Sequence, residues 1–298
     1  MKRNTPGVIL TVLLFLTACG SPKPQDTAQS GGSSAQAYIE NKGSDTLVNL
    51  ALAWAERYQN MHPEVQISVT GGGSGTGFTA LINGSIDVAN ASRGIKPEEI
   101  EEAKKNGFEP IEFIVANDAI AVIVNPENPV SELTLEQVSR IYKGELTNWK
   151  ELGGEDRPIV RLSRETNSGT HVYFLETVIR LGSKEDKNIF SADTLLLPSS
   201  EGIIAEVSDN PNAIGYDGLG YVTKEVKMIA LAKVAGGPYI LPSAETVINK
   251  LYPISRHLFM YTRGQPEGAE KAYIDWILSA EAQAIITELG FVPVIPVK

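Results

Sequence analysis

The sequence predicts an α/β protein with two domains. From Tyr38 onward, short runs rich in β-branched residues alternate with amphipathic helical patterns, and such alternation is typical of one or two mainly parallel α/β sheets. The chain has 298 residues, whereas single domains commonly contain about 100 to 200. No tandem repeat with a period of about 20 to 50 residues is present, which disfavours a solenoid.

Residues 1–18 have the layout of a bacterial lipoprotein signal. Lys2 and Arg3 are basic, residues 8–16 are apolar, and Leu16-Thr17-Ala18-Cys19 follows directly. The apolar run is shorter than the roughly 20 residues that a membrane-spanning helix needs. We therefore expect cleavage before Cys19 and a lipid such as palmitate on this cysteine, which would anchor a chain lying outside the cytoplasm. The alternative is a plain signal peptide with an incidental cysteine.

Residues 19–37 are predicted to form a flexible tether. They are rich in serine, glycine, glutamine and proline and lack an apolar period, a composition that cannot build a packed core. The folded part is expected to begin near Tyr38.

The predicted elements follow in order along the rest of the chain. Strands are predicted where short apolar or β-branched runs are bounded by turn residues: residues 65–70, 111–116, 120–125, 158–163, 213–216 and 257–262. Helices are predicted where apolar residues recur at helical spacing: residues 47–62, 97–105, 134–142, 169–180, 199–208 and 269–278.

The composition excludes several classes of function. The chain has 26 basic and 36 acidic residues and a net charge of −10, so a broad interaction with nucleic acid or an anionic membrane is disfavoured. A single cysteine excludes an internal disulfide, and the three scattered histidines predict no zinc site. Any anion that binds must be held by local geometry rather than by net charge.

Three small polar turns each precede a predicted helix: Gly43-Ser44-Asp45-Thr46, Gly73-Ser74-Gly75-Thr76 and Asn167-Ser168-Gly169-Thr170. The first amides of a helix lack internal partners, and the helix dipole favours negative charge at this end. Three such turns in one chain indicate one anion held from several sides. The alternative is that each turn is only a helix cap, because serine, threonine and glycine are preferred there.

Enzyme and nucleotide motifs fail in this sequence. Residues 71–77 match neither the dinucleotide pattern nor the phosphate-binding loop, since Phe78 stands where the loop needs lysine. The nucleophile elbow fails because Thr76 replaces its last glycine. Ser168 and His171 are three residues apart, but no orienting acid accompanies them. We predict neither catalysis nor a cofactor.

Around these turns the chain closely resembles the PstS-like phosphate-binding subunits of bacterial phosphate ABC importers. The resemblance spans residues 38–298 and is most specific in the segment Arg164-Glu165-Thr166-Asn167-Ser168-Gly169-Thr170. Further matching segments are 43–47, 71–77, Asp87-Val88-Ala89-Asn90-Ala91-Ser92-Arg93, 212–216 and 253–256.

The resemblance implies a two-lobed periplasmic-binding-protein fold, type II-like, with a hinge and an interlobe ligand cleft. The first lobe would be discontinuous, comprising residues 38–118 plus 257–298, and the second would comprise residues 119–256. The chain would cross between the lobes near residues 116–120 and 253–257. Phosphate would bridge the lobes and favour a closed state that a permease recognises.

The family also implies the phosphate-binding residues. The first lobe would contribute Ser44, Asp45, Thr46, Ser74, Ser92 and Arg93, and the second would contribute Arg164, Ser168, Gly169 and Thr170. The planar fork of Arg164 matches two phosphate oxygens. Arg93 is expected to touch the ligand, to hold Asp45 or to close the lobes.

One position departs from the family pattern. Some members have an aspartate where this chain has Ser92, and that carboxylate accepts the proton of phosphate, which sulfate lacks. Asp45 is the first candidate for a substitute acceptor, and Glu165 and Asp118 are the weaker ones.

The implied partners are inorganic phosphate, the permease subunits of an ABC importer, and the membrane through lipid on Cys19. We expect a monomer that binds no nucleic acid and lies in the cell envelope, either on the outer side of the cytoplasmic membrane or in the periplasm. The alternative functions are binding of another tetrahedral oxyanion, a role as phosphate sensor or adhesin, and phosphatase activity.

Overall fold

The computed structural model describes residues 36–295, so the predicted signal, Cys19 and most of the predicted tether lie outside the described residues. The fold is mixed α/β, as predicted. The described α-helices are α1 (Asp45–Met61), α2 (Ser74–Ile82), α3 (Pro97–Lys105), α4 (Leu135–Tyr142), α5 (Gly169–Phe174), α6 (Ser200–Asp209), α7 (Ala244–Ile248), α8 (Gly268–Ile277) and α9 (Ala280–Glu288). Within this range, none of the helices has both the length and the apolar character needed to cross a bilayer.

The strands form one large sheet and one small sheet. They are β1 (Ala37–Gly43), β2 (Val65–Thr70), β3 (Val88–Ala91), β4 (Ile111–Val124), β5 (Glu132–Thr134), β6 (Val160–Arg164), β7 (Leu195–Leu197), β8 (Ala213–Gly218), β9 (Lys227–Met228), β10 (Ala230–Ala232) and β11 (Ser255–Thr262). The large sheet has the order β2-β1-β3-β11-β4-β8-β6-β7, with β9 also paired to β4, while β5 and β10 pair separately.

The prediction of a mainly parallel sheet is correct at the two ends of the sheet and wrong in its middle. The pairs β1–β2, β1–β3, β6–β7 and β6–β8 are parallel. The pairs β3–β11, β11–β4 and β4–β8 are antiparallel. Strand β11 is far in sequence from its neighbours β3 and β4. The order of elements along the chain therefore does not predict whether it runs parallel or antiparallel to them.

Strand β4 connects the two ends of the sheet. Residues 111–119 are aligned with β11, and residues 120–124 pair with β8. The sequence predicted two strands broken at Asn117 and Asp118, but the strand is continuous. Asp118 is compensated by Arg256 from β11, and the backbone of Asn117 pairs with Val292. The change of partner lies next to the predicted lobe boundary, and the two lobes with their boundaries remain a prediction.

Helix α1 shows how the sequence positions the start of a helix at the edge of the sheet. Its buried residues recur at helical spacing. Five of them pack in the main apolar cluster: Leu47, Leu50, Trp54, Ala55 and Tyr58. This apolar face holds α1 against the sheet and leaves its first residues beside the ends of β1 and β3.

The predicted helix over residues 169–180 has two parts. Helix α5 ends at Phe174, and a π-helical turn continues over Leu175–Ile179. Such turns insert an extra residue into the helical repeat. The buried apolar side chains of this segment, Phe174, Val178 and Ile179, belong to a second apolar cluster.

Candidate anion-binding site

The first residues of helices α1, α2 and α5 meet at one place. The hydroxyl oxygens of Thr46 in α1 and Thr170 in α5 lie 2.8 Å apart. A Cβ atom added to Gly169 in α5 would lie 2.4 Å from the hydroxyl of Ser74 in α2. The three predicted turns therefore form a single cluster of helix N-termini, where donors converge and the helix dipoles favour an anion.

Four hydroxyl groups form the centre of this cluster, and we call them the hydroxyl cluster: Thr46, Ser74, Ser92 and Thr170. Ser74 and Ser92 are joined by their hydroxyl oxygens at 3.3 Å, and the Ser92 amide donates to the Ser74 hydroxyl at 3.0 Å. All four residues are buried. Their hydroxyls can donate as well as accept, so the cluster can present several hydrogen bonds to an oxyanion.

Glycine at position 169 is required by this close approach. Its added Cβ would also lie 2.6 Å from the Ser92 hydroxyl oxygen. A side chain at this position would require the hydroxyls of Ser74 and Ser92 to rotate away or the start of α5 to move.

A second set of contacts joins the loop before α5 to the glycine-rich loop before α2. The Asn167 carbonyl accepts a hydrogen bond from the Gly75 amide at 2.9 Å. The Asn167 side-chain amide donates to the Gly72 carbonyl, also at 2.9 Å. These bonds hold the two loops side by side at the edge of the hydroxyl cluster.

Arg164 lies at the end of β6 with its side chain 1% exposed. Its guanidinium donates to Asp45 Oδ2 at 2.6 Å, to Ser200 Oγ at 2.8 Å and to the Pro198 carbonyl at 2.8 Å. The first of these contacts links Arg164 to α1. The fork is therefore fixed in place, and its charge lies close to the convergent helix N-termini.

Asp217 lies behind Arg164. One of its oxygens accepts hydrogen bonds from the Ser200 hydroxyl and the Gly218 amide. The other oxygen, Oδ2, is 3.8 Å from an Arg164 nitrogen and has no hydrogen-bond partner in the described structure. Burial raises the pKa of the Asp217 carboxyl above its ordinary value, and the Arg164 guanidinium opposes this shift.

Arg256 enters the site from β11. It donates to Asp118 Oδ2 through two nitrogens, at 3.2 and 2.9 Å. It also donates to the Thr170 hydroxyl at 3.0 Å, to the Thr46 hydroxyl at 3.4 Å and to the Ser92 carbonyl at 3.0 Å. Burial raises the pKa of Asp118, while the adjacent Arg256 charge lowers it. Arg256 thus contacts three residues of the hydroxyl cluster.

The other predicted residues occupy distinct places. Ser44 is buried immediately before α1, and its amide donates to the Asn90 carbonyl at 2.9 Å. Ser168 caps α5, since its hydroxyl accepts from the amides of Thr170 and His171. The Arg93 guanidinium forms two bonds with Glu99, at 2.8 and 2.6 Å. The interpretation that Arg93 holds Asp45 is therefore wrong, because Asp45 is paired with Arg164.

The candidate proton acceptors differ in their surroundings. Asp45 accepts the Arg164 bond on Oδ2 and the Gly72 amide on Oδ1 at 3.0 Å. Asp118 is buried against Arg256. Glu165 is exposed to solvent. Of the three, Asp45 combines partial burial with a direct contact to Arg164.

Ser168 and His171 do not form a nucleophile and base. The His171 ring nitrogen Nδ1 bonds with the Ser163 hydroxyl at 3.0 Å and the Arg164 carbonyl at 2.9 Å. Burial lowers the pKa of His171. Among residues 36–295, no three His, Cys, Asp or Glu side chains are arranged to hold a metal ion.

Sequence reasoning missed three residues of this site: Ser200, Asp217 and Arg256. Each is buried and polar. Arg256 could have been identified from the sequence, because the segment 253–256 formed part of the family resemblance and an arginine in an apolar strand needs a compensating charge. Nothing in the sequence singled out Ser200 and Asp217, since a serine at a helix start and an aspartate before glycine are common turn residues.

An open groove of about 640 Å³ adjoins the site. Three basic side chains line it, those of Lys42, Arg93 and Lys96, together with Glu99 and Asn167.

One family model and two relatives match most of this chain. A family model described as a PBP superfamily domain matches residues 28–281. The phosphate-binding protein PstS of Pseudomonas aeruginosa is 32% identical over 277 residues, covering 87% of this chain and 84% of that protein. PstS of Bacillus subtilis is 30% identical over 306 residues, covering 100% of this chain and 97% of that protein.

A solved structure is also similar. The crystal structure of a phosphate ABC transporter substrate-binding protein from Clostridium perfringens, with bound phosphate, is 34% identical and has a TM-score of 0.76. The match covers 87% of this chain and 100% of that one.

Proposed function

The chain belongs to the PstS-like phosphate-binding proteins of the PBP superfamily, and we propose that it captures inorganic phosphate and delivers it to the permease of an ABC importer. Proteins of this family bind a substrate for transport rather than transform it. No catalytic step is therefore assigned to the serine, threonine and arginine side chains of the site.

The observation that carries this proposal is the meeting of three helix N-termini and a fixed guanidinium at one buried cluster. Arg164, whose Nε has no hydrogen-bond partner in the described structure, could together with the hydroxyl cluster and Ser168 offer an oxyanion several donors. Hydrogen bonds to a charged partner contribute about 1.5 to 3 kcal/mol each. Micromolar binding requires about 8 kcal/mol. Four or five such bonds would contribute about 6 to 15 kcal/mol, which spans that value and at the upper end could offset the ordering of the loops.

We propose that phosphate binds between two lobes with the boundaries expected from the sequence. Ser44, Asp45, Thr46, Ser74, Ser92 and Arg93 would contribute from one lobe, and Arg164, Ser168, Gly169 and Thr170 from the other. The contacts from Thr46 to Thr170 and from Asp45 to Arg164 support this division, since each pair brings together residues that are far apart in sequence. A ligand that bonds to both sides would shift the population toward the closed state.

We further propose that Asp45 distinguishes phosphate from sulfate. Each carboxylate oxygen can accept two hydrogen bonds, so Asp45 retains the capacity to accept a phosphate proton beside Arg164 and the Gly72 amide. Fully ionised sulfate has no such proton and would be repelled. The Asp45→Asn variant should lose at least about 10-fold of its preference for phosphate over sulfate, because one charge-assisted bond is worth about 1.5 kcal/mol or more.

Competition binding measures this preference directly. Glu165→Gln is the matched control, since it neutralises an exposed carboxylate next to Arg164 in sequence and should leave the preference unchanged. Undiminished rejection of sulfate by Asp45→Asn would refute the assignment.

Isothermal titration of the purified protein tests the function itself. We expect saturable, one-to-one binding of phosphate that excess sulfate or molybdate does not displace. Preferential binding of either competitor would indicate another tetrahedral oxyanion, and turnover of a generic phosphate ester would indicate a phosphatase; both results would overturn the proposal.

We propose that Cys19 carries the lipid that anchors the protein to the cell envelope. The basic start, the apolar run and the single cysteine support this assignment. Growth with labelled palmitate should label the protein and should fail to label a Cys19→Ala variant. Equal labelling of both would contradict the assignment.

A further inference from the structure

Arg256 occupies a position between the two sides of the site. Its nitrogen Nη2 donates to the hydroxyls of both Thr46 and Thr170, which come from the starts of α1 and α5. Its nitrogen Nη1 donates to the backbone carbonyl of Ser92. No residue assigned from the sequence has this role.

Four of the five N–H donors of Arg256 bond with protein groups: Asp118 accepts from Nε and Nη2, the two threonine hydroxyls share the second Nη2 hydrogen, and the Ser92 carbonyl accepts from Nη1. Nε and Nη2 bond with Asp118, and the side chains of the pair are 2% and 0% exposed. Asp118 therefore balances the charge of Arg256 within the protein. With its bonds directed to Asp118, Thr46, Thr170 and Ser92, Arg256 would influence a bound anion through these residues rather than by contact.

A guanidinium only donates hydrogen bonds, and this determines the hydrogen-bond direction of the threonine hydroxyls. Arginine has five N–H donors and no acceptor, so each threonine oxygen must accept the bond from Arg256. The hydroxyl proton of each threonine then has to point elsewhere. Without a ligand, one of these protons lies between the two oxygens, which are 2.8 Å apart. With an anion present, both protons can be donated to it.

We propose that Arg256 is a positioning residue that orients the hydroxyls of Thr46 and Thr170 as donors to the bound anion, with Asp118 holding its fork in place. This inference rests on the proposed phosphate function and deepens it. A hydroxyl held as a donor favours an unprotonated oxygen of the ligand and disfavours an O–H group there. The guanidinium thus contributes to recognition without touching the ligand.

A double-mutant cycle separates this role from a purely structural one. Arg256→Gln alone would leave the Asp118 charge buried and unpaired, which destabilises strongly, so both charges are removed in the variant Asp118→Asn with Arg256→Gln. Thr170→Val removes one of the oriented hydroxyls. Phosphate dissociation constants are measured for the wild type, each variant and their combination, with circular dichroism to confirm folding.

We expect Thr170→Val to weaken phosphate binding by about 10-fold or more in the wild type, as for the loss of one bond to a charged ligand. In the charge-free background the same substitution should weaken binding at least threefold less, because the hydroxyl is no longer held as a donor. Asn167→Ala is the control, since Asn167 contacts Gly72 and Gly75 and not Arg256; its effect should be equal in both backgrounds.

Arg256→Lys provides a second background if the charge-free variant does not fold. It keeps the charge, but its three N–H donors on a single nitrogen cannot serve Asp118, both threonines and the Ser92 carbonyl at once, so a reduced effect of Thr170→Val is expected there too. If the wild type binds phosphate and the effects of Thr170→Val are equal in all backgrounds, the inference is overturned while the proposed function stands. If the wild type binds no phosphate, both are overturned.

Discussion

A single added methyl group at Gly169 tests whether the start of α5 closes against the opposite loops when phosphate is bound. The added Cβ of Gly169→Ala would lie 2.4 Å from the Ser74 hydroxyl oxygen and 2.6 Å from that of Ser92. Such separations are not tolerated between carbon and oxygen, so the two hydroxyls must rotate out of the cluster or the loops must move apart. In an open arrangement of the lobes the same methyl group would meet no obstacle.

The expected cost follows from the size of the clash. Inserting one methyl group into a closely packed site typically costs about 1 to 3 kcal/mol, which corresponds to about 5- to 150-fold weaker binding. Alanine is also favoured over glycine within a helix by about 0.5 to 1 kcal/mol. We therefore expect phosphate affinity to fall while the thermal stability of the ligand-free protein is unchanged or slightly raised.

Titration calorimetry and thermal denaturation measure the two quantities. Gly94→Ala is a matched control, since Gly94 lies beside the predicted site residue Arg93 and a Cβ there has no neighbouring atom within 4 Å. This control should bind phosphate as the wild type does. Wild-type affinity in Gly169→Ala would refute the inference that α5 closes on Ser74 and Ser92 in the bound state.

Two further predictions concern the loops and the pH dependence of stability. Asn167→Ala removes the side-chain bond to Gly72; phosphate should dissociate about 2- to 12-fold faster in stopped-flow measurements, as for one neutral hydrogen bond, whereas exposed Thr166→Ala should not change the rate. Burial, reinforced by the nearby Asp87 charge, raises the pKa of Glu270 from 4.5 to about 7. Between these values the folded protein holds a proton that the unfolded chain has lost, so this group lowers the free energy of unfolding as pH rises from 4.5 to about 7. Glu270→Gln should remove that component from urea-denaturation profiles, and the exposed Glu267→Gln should not; identical profiles for the wild type and Glu270→Gln would contradict the assignment.

Local sequence patterns predicted the elements that bury one face on the core. Helix α3 begins and ends where its proline and charged residues indicate, and β2 has its predicted bounds. Both are specified by short-range signals, namely helix-end chemistry and a β-branched run between turns. The capping threonine of α4, Thr134, is another such signal, since its hydroxyl accepts from the Gln137 amide.

Elements that depend on distant contacts were not predictable from the same patterns. Helix α2 begins at Ser74, within the glycine-rich turn that was expected to precede it, and contains two glycines. Gly77 lets it approach β1 closely, since a Cβ there would lie 2.8 Å from the Gly43 Cα. The continuity of β4 likewise depends on a charge partner more than 130 residues away, since Arg256 and Asp118 are separated by 138 positions.

The candidate site also combines features that local sequence patterns predict with features that depend on distant contacts. The three polar turns were predictable because helix N-termini have a recognisable composition, and the structure brings all three together. The partners that fix the two arginines were not, because the pairing of Arg164 with Asp45 and of Arg256 with Asp118 follows from strand order and not from spacing along the chain. The interpretation that Arg93 holds Asp45 is wrong for a related reason, since Arg93 is paired with Glu99, only six residues away.

A crystal structure of the protein grown with saturating phosphate tests the central claim most directly. We predict a tetrahedral anion bonded to Arg164, Ser168 and Thr170 on one side and to Thr46 and Ser74 on the other, at about 2.7 to 3.0 Å from each donor. An anion bound outside this cluster, or a cluster that stays empty at saturating phosphate, would contradict the account.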